Sequence, residues 1–193
     1  MDVATQVDSG MSGRNRAKVI SLAGVVIIGL GAGAFLIPAA KGVDGSRVIG
    51  ILLIAAGLIE AGAGLLRRES RPFAVGSGLV TALAGVVFML RPTGHLFPNV
   101  VLVIAWLFVR SMLIALGSRF ASGSVRTWMG LSAGMDLVLA LVLTTGLSIA
   151  TIVVSLFGPT APLIASFAWV LTASFVVNGL MLLEVASCER SPD

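Results

Sequence analysis

The sequence contains no tyrosine, one cysteine (Cys188) and one histidine (His95). A single cysteine excludes an intrachain disulfide and any cysteine metal cluster. One histidine among scattered acids leaves no set of residues with metal-ligand spacing, so neither a metal nor another cofactor is expected. Charge is scarce as well. Asp, Glu, Lys and Arg make up 11% of the chain, against about 25% in a soluble domain. With 57% hydrophobic residues and a mean hydropathy of +1.05, a water-soluble fold could not cover its own surface. Lipid must solvate most of this chain. Two enzyme signatures are missing too: there is no HExxH and no Walker loop. The glycine clusters sit inside apolar segments and not after strands, so they are not phosphate loops. A non-enzymatic protein is expected.

What is present is apolar sequence in long runs. A membrane-spanning helix needs about 20 mostly apolar residues. Six segments qualify: Ala17 to Pro38, about Arg47 to Leu66, Phe73 to Leu90, Phe97 to Gly117, Trp128 to Gly146, and Pro162 to Ala186. The fold class is therefore all-α, an integral membrane bundle of six helices. Residues 1–17 read as a flexible tail, 18–186 as the membrane domain and 187–193 as a second tail. The stretch Leu147 to Phe157 (LSIATIVVSLF) is apolar but falls between the fifth and sixth segments. Joined to the fifth, it would give about 45 Å of helix, too long for a hydrocarbon core of about 30 Å without strong tilt. A break at Gly146 is expected, followed by a short segment lying along the outer interface.

The net charge is +4, and the basic residues cluster beside apolar segments. That pattern points to the lipid bilayer as partner, not to nucleic acid. Nine Lys and Arg flank one side of the spans: Arg14, Arg16, Lys18, Arg67, Arg68, Arg71, Arg119, Arg126 and Arg190. Three flank the other: Lys41, Arg47 and Arg91. The excess predicts that both termini are cytoplasmic. Trp128 then falls at the cytoplasmic interface.

The six segments group as three similar hairpins, about 18–66, 73–117 and 127–186. Aligning IAAGLIEAGAG with IAWLFVRSMLI sets Glu60 against Arg110, and TASFVVNGLML sets Asn178 at the same point. The odd segments match from Gly24 to Pro38, from Gly78 to Pro92 and from Gly130 onward. Odd spans ending in Pro, except in the third unit, each followed by an even span with one polar position, give a pattern that resembles the HdeD family. Those are small bacterial inner-membrane proteins linked to acid resistance. The resemblance covers about residues 17–186. It implies six helices, cytoplasmic termini and a role in acid stress, and it carries over no catalytic residue.

Four groups stand out inside the apolar segments: Glu60, Arg110, Asp136 and Asn178. Counted from the basic flanks, they lie roughly 10–18 Å deep. A charge facing lipid at mid-span costs about 2.5–3.5 kcal/mol, so these side chains should face inward. Arg110 is expected to pair with both Glu60 and Asp136. One outcome is a structural clamp that fixes helix register. The other is a titrating site, because two acids sharing one Arg leave one carboxylate short of a partner.

Outside that layer, His95 in the loop RPTGHLFPN could sense periplasmic pH, or be a passive surface residue. Glu184 near the last span's end reads as solvated. Cys188, just past that span, could be acylated or incidental. Gly29 to Gly33 and Gly130 to Gly134 are small-xxx-small patterns. They predict packing within the chain, with a homo-oligomer face as the other outcome. The chain is thus expected to be an acid-stress membrane protein. A small transporter of protons or solutes, or a membrane scaffold for an unidentified protein partner, are the alternatives.

Overall fold

The computed structural model describes residues 13–36, 45–67, 69–90, 96–157 and 162–190. His95 lies outside the described residues. Six α-helices make up the fold: α1 Gly13–Leu36, α2 Gly45–Leu65, α3 Arg71–Leu90, α4 Leu96–Ser118, α5 Gly123–Phe157 and α6 Pro162–Arg190. All six are long and apolar enough to cross a membrane. Only 33–56% of each candidate span is buried inside the bundle. The outward faces carry Leu22, Leu58, Leu83, Val101, Phe108, Leu131 and Leu141, which suits lipid and not water. The chain is a multi-pass membrane protein.

Each helix lies beside its neighbours in sequence, and α1 packs against α6, so the six form a closed ring. The most extensive contacts are α2 with α3, α1 with α6, and α4 with α5. These pairs join successive sequence hairpins. The helices within a sequence hairpin touch less. Small residues explain the tight pairs. A Cβ on Gly57 would lie 2.6 Å from the Gly78 carbonyl oxygen and 2.4 Å from the Ala82 nitrogen. A Cβ on Gly24 would lie 2.8 Å from the Gly179 carbonyl oxygen. Only hydrogen fits at such crossings, and lipid supplies no hydrophobic drive to hold looser ones together. These residues recur every seventh position: Gly50, Gly57 and Gly64 on α2, and Gly78 and Gly85 on α3. A seven-residue spacing keeps one face on the partner helix. The contacts also run antiparallel, with Gly50 near Gly85 and Gly57 near Gly78. Six alternating helices bring the start of α1 and the end of α6 to one end of the ring, the terminus end.

Two expectations are corrected. Helix α5 runs unbroken from Gly123 to Phe157, 35 residues, with no stop at Gly146. One glycine inside a helix costs about 1 kcal/mol relative to alanine, too little to end a ladder of backbone hydrogen bonds. At about 1.5 Å per residue, the helix reaches roughly 16 Å past Gly146. The small-xxx-small patterns do not pack within the chain either. A Cβ on Gly29, Gly33, Gly130 or Gly134 would meet nothing within 4 Å. The seven-residue glycines, not the four-residue ones, make the helix contacts.

The packing also refines the repeat. Ala61 faces Gly78, Gly179 faces Gly24, and Ser111 Oγ donates to the Ala133 carbonyl at 2.8 Å. The third counterpart of Gly24 and Gly78 is therefore Ala133, and Gly130 is exposed. By the same register Asp136 stands where the other odd helices carry Thr81 and Ile27. Ser132 stands where they carry Ser77 and Ala23.

At the terminus end, the α2–α3 turn docks on the α4–α5 turn. The Glu69 carboxylate accepts from the Ser122 backbone N–H and from its Oγ, both at 2.8 Å. An acid at the start of α5 satisfies free amides and suits the helix dipole. Phe73 stacks on Phe120 at 5.3 Å. Ser70, at the start of α3, has φ 51°. Its carbonyl accepts from the N–H groups of Phe73 and Ala74.

Candidate functional site

The ring encloses a cluster of buried polar groups near mid-span. Arg110 projects inward from α4 and is 1% exposed. Its Nη2 donates to Glu60 Oε1 at 3.1 Å and Oε2 at 3.3 Å, from α2. Its Nη1 donates to Asp136 Oδ2 of α5 and, at 3.3 Å, to Ser174 Oγ of α6. The planar guanidinium can serve two carboxylates at once, which an ammonium at one point cannot. Each acid has a further partner. Ser77 Oγ of α3 donates to Glu60 Oε1 at 2.8 Å, and Ser174 Oγ donates to Asp136 Oδ1 at 2.7 Å. One helical turn away, Trp106 Nε1 donates to Thr81 Oγ1 at 3.1 Å, and the Thr81 hydroxyl donates to the Ser77 carbonyl at 2.9 Å.

Five helices thus meet in one network, and all three tight pairs contribute to it. Glu60 with Ser77 belongs to α2–α3, Arg110 with Asp136 to α4–α5, and Ser174 to α1–α6. Bonds between pairs run through Arg110, Ser174 and the Trp106–Thr81 contact. The network therefore ties together three helix pairs that touch each other less closely than their own members do. In a hydrocarbon setting an ionised group without such partners would cost several kcal/mol.

The structure brings Glu60, Arg110 and Asp136 into contact. Asn178 is equally buried, at 1% exposure, but stands one helical turn from Ser174, and its Oδ1 accepts no hydrogen bond. The repeat register accounts for this. At the place of Ser77, which serves Glu60, the unit carrying Asn178 has Ala23, with no hydroxyl to give.

One residue of the site escaped the sequence reasoning. Arg67, counted above only as a basic flank, is 5% exposed. It lies within electrostatic reach of Glu60 and Arg110. Burial, opposed by the Glu60 charge and aided by Arg110, brings its guanidinium down to about 10. It remains a cation at neutral pH. Arg67 thus adds a second buried guanidinium near the network that Arg110 forms with the two carboxylates. The available signal was spacing: Arg67 follows Glu60 by seven residues, the interval that keeps the glycines of α2 on one face.

Of the other residues singled out, Glu184 is partly buried and accepts from Ser124 Oγ in the first turn of α5, so it links α5 to α6. Cys188 is exposed. Among the described residues, no three His, Cys, Asp or Glu side chains come together as a metal site. No protein-family model matches the chain, and no curated protein or solved structure matches it either.

Proposed function

We propose that this is a non-enzymatic membrane protein of the HdeD type that supports survival in acid, set in a bacterial inner membrane with both termini cytoplasmic. The observation that carries the mechanism is the single guanidinium of Arg110 held between Glu60 and Asp136. It makes the charged layer the joint between three helix pairs. Protonating one carboxylate removes one arm of the Arg110 bridge and leaves Arg110 and Arg67 with excess positive charge. The pairs can then shift against each other, because lipid does not force them together. The layer is a clamp at neutral pH and a release at low pH.

Acid survival of cells making Glu60→Gln or Asp136→Asn at normal levels tests this. Altered survival is expected, since each substitution fixes its side chain in an uncharged form. Survival equal to the unaltered protein in both variants removes the protonation mechanism. A transporter of protons or small solutes has less support. Transporter sites usually interrupt the helices at the binding site, whereas all six helices here are continuous. Proton flux in proteoliposomes separates the two.

A further inference from the structure

The buried polar groups are distributed unevenly along the ring axis. Among the described residues, the buried side-chain atoms without a hydrogen-bond partner include Arg67 Nε, Arg110 Nε, Ser132 Oγ and Asn178 Oδ1. Arg110 is in the charged layer. The other three lie on its terminus side. Ser132 precedes Asp136 by one turn on α5, which starts at that end. Asn178 follows Ser174 by one turn on α6, which finishes there. Arg67 follows Glu60 by two turns, just past the end of α2. These residues are 1–5% exposed.

Past the layer, away from the termini, the picture differs. The Trp106–Thr81 hydrogen bond closes the layer. Leu53, Phe88, Val103, Leu107, Leu143 and Leu171 follow, all buried, in an apolar cluster that also continues on the terminus side through Ile20, Leu182 and Val185. Among the described residues on that side, no buried side-chain nitrogen or oxygen lacks a partner. An unsatisfied buried polar group costs about 1–3 kcal/mol. Such groups in native proteins are regularly met by internal water. Three on the terminus side, against none among the described residues on the other, give water a reason to enter from the terminus end.

We propose that water reaches the Glu60–Arg110–Asp136 layer only from the terminus end of the ring. It passes Arg67 and binds at Asn178 and Ser132. Both water donors and water acceptors are served there: Asn178 Oδ1 accepts, Arg67 Nε and Arg110 Nε donate, and Ser132 Oγ does either. The path skirts the apolar cluster of Ile114, Met129 and Met181, whose flexible thioether side chains adapt to passing water. The ionisable groups facing this water are Glu60 from α2, Arg67 just past its end, Arg110 from α4 and Asp136 from α5, with Arg16 of α1 buried at the same end. α3 contributes Ser77, and α6 contributes Ser174 and Asn178. The layer consequently exchanges protons with the terminus-side compartment and not across the membrane. This deepens the pH-responsive mechanism by naming the compartment that it samples, and so rests on that mechanism for its biological meaning.

The test uses thiols, since Cys188 is the only cysteine. In a Cys188→Ser background, Ser132→Cys, Asn178→Cys, Val103→Cys and Leu171→Cys are made one at a time. Membrane vesicles of each orientation, sorted by a tag at residue 1, receive silver ion as a water-sized thiol probe. Unreacted thiol is then counted by mass after unfolding. Silver at the terminus face should block the thiols of Ser132→Cys and Asn178→Cys at least about tenfold faster than those of Val103→Cys and Leu171→Cys, as hydrated polar and dry apolar interiors require. Equal rates from the two faces, or no block from the terminus face, overturn the proposal. Should a variant fail to accumulate, hydroxyl-radical labelling of the unaltered protein decides. Oxidation of Met129 and Met181, both 1% exposed, with Phe88 and Trp106 spared is the expected result, and the reverse pattern overturns it. Labelling reads hydration and the survival assay reads function, so either can fail while the other stands.

Discussion

At the scale of single residues, Arg110 has the largest predicted effect. Arg110→Met leaves two buried carboxylates facing each other. Removing one partner of a buried ion pair costs about 3–5 kcal/mol, to be read as reversible unfolding in mixed detergent micelles. Arg110→Lys should also destabilise, because a single ammonium cannot bridge α2 and α5 as the forked guanidinium does. The repeat register makes a subtler prediction. Ala23→Ser places a hydroxyl beside Asn178, as Ser77 stands beside Glu60. A gain of about 0.5–1.5 kcal/mol is expected from the new hydrogen bond, and it should vanish when Asn178→Ala is added. Arg67 predicts a pH dependence at the alkaline extreme. Its folded value of about 10 lies below the ordinary arginine value, so the unfolded chain binds more protons between the two. Its contribution to stability therefore rises with pH across that window, and the charged form opposes folding in full below it. Arg67→Gln should flatten the unfolding profile between pH 10 and 12 relative to the unaltered protein.

At the scale of elements, much was legible. Six helices follow from apolar run length alone, because a bilayer of fixed thickness leaves few other solutions. The inward placement of Glu60, Arg110 and Asp136 was legible for the same reason, since lipid penalises the outward one. Helix pairing was not. The sequence groups α1 with α2, but the crossings at Gly57–Gly78 and Gly24–Gly179 join helices from different hairpins. Periodicity tells which face a residue occupies and not which helix meets it. Both Gly130 and Gly57 sit in glycine-rich contexts, yet one faces outward and the other touches backbone. Gly57→Val should therefore separate α2 from α3 and lower stability by at least about 1–3 kcal/mol, as overpacking does. Gly130→Ala should be neutral or gain up to about 1 kcal/mol from helix propensity. Comparing the two unfolding midpoints checks the assignment. The length of α5 escaped prediction because hydrophobicity past Gly146 signalled an interface, while backbone hydrogen bonding simply carried the helix on.

At the scale of the whole molecule, the ring makes the three sequence repeats and the three structural pairs two different partitions of the same six helices. Sequence repeats duplicate a hairpin, and packing then pairs the second arm of one hairpin with the first arm of the next. Closure needs α1 and α6 to take the last pairing. A circularly permuted chain, with α6 joined to α1 by a flexible linker and new ends opened between α1 and α2, should retain the native unfolding free energy within about 1 kcal/mol, because few contacts cross that connection. A permutant opened between α2 and α3 should do worse, since the Glu69–Ser122 bonds anchor that turn.

The α1–α6 seam also sets a schedule for biosynthesis. Of the six helices, the earliest to leave the ribosome must wait for the latest before Gly24 finds Gly179. During translation, α1 stays in the bilayer with its close-approach face uncovered. A nascent chain halted before α6 cannot complete its fold, and membrane quality-control proteases would meet it in that state. Assembly therefore becomes a single late event at the insertion machinery, with little opportunity for the hairpins to mature one after another.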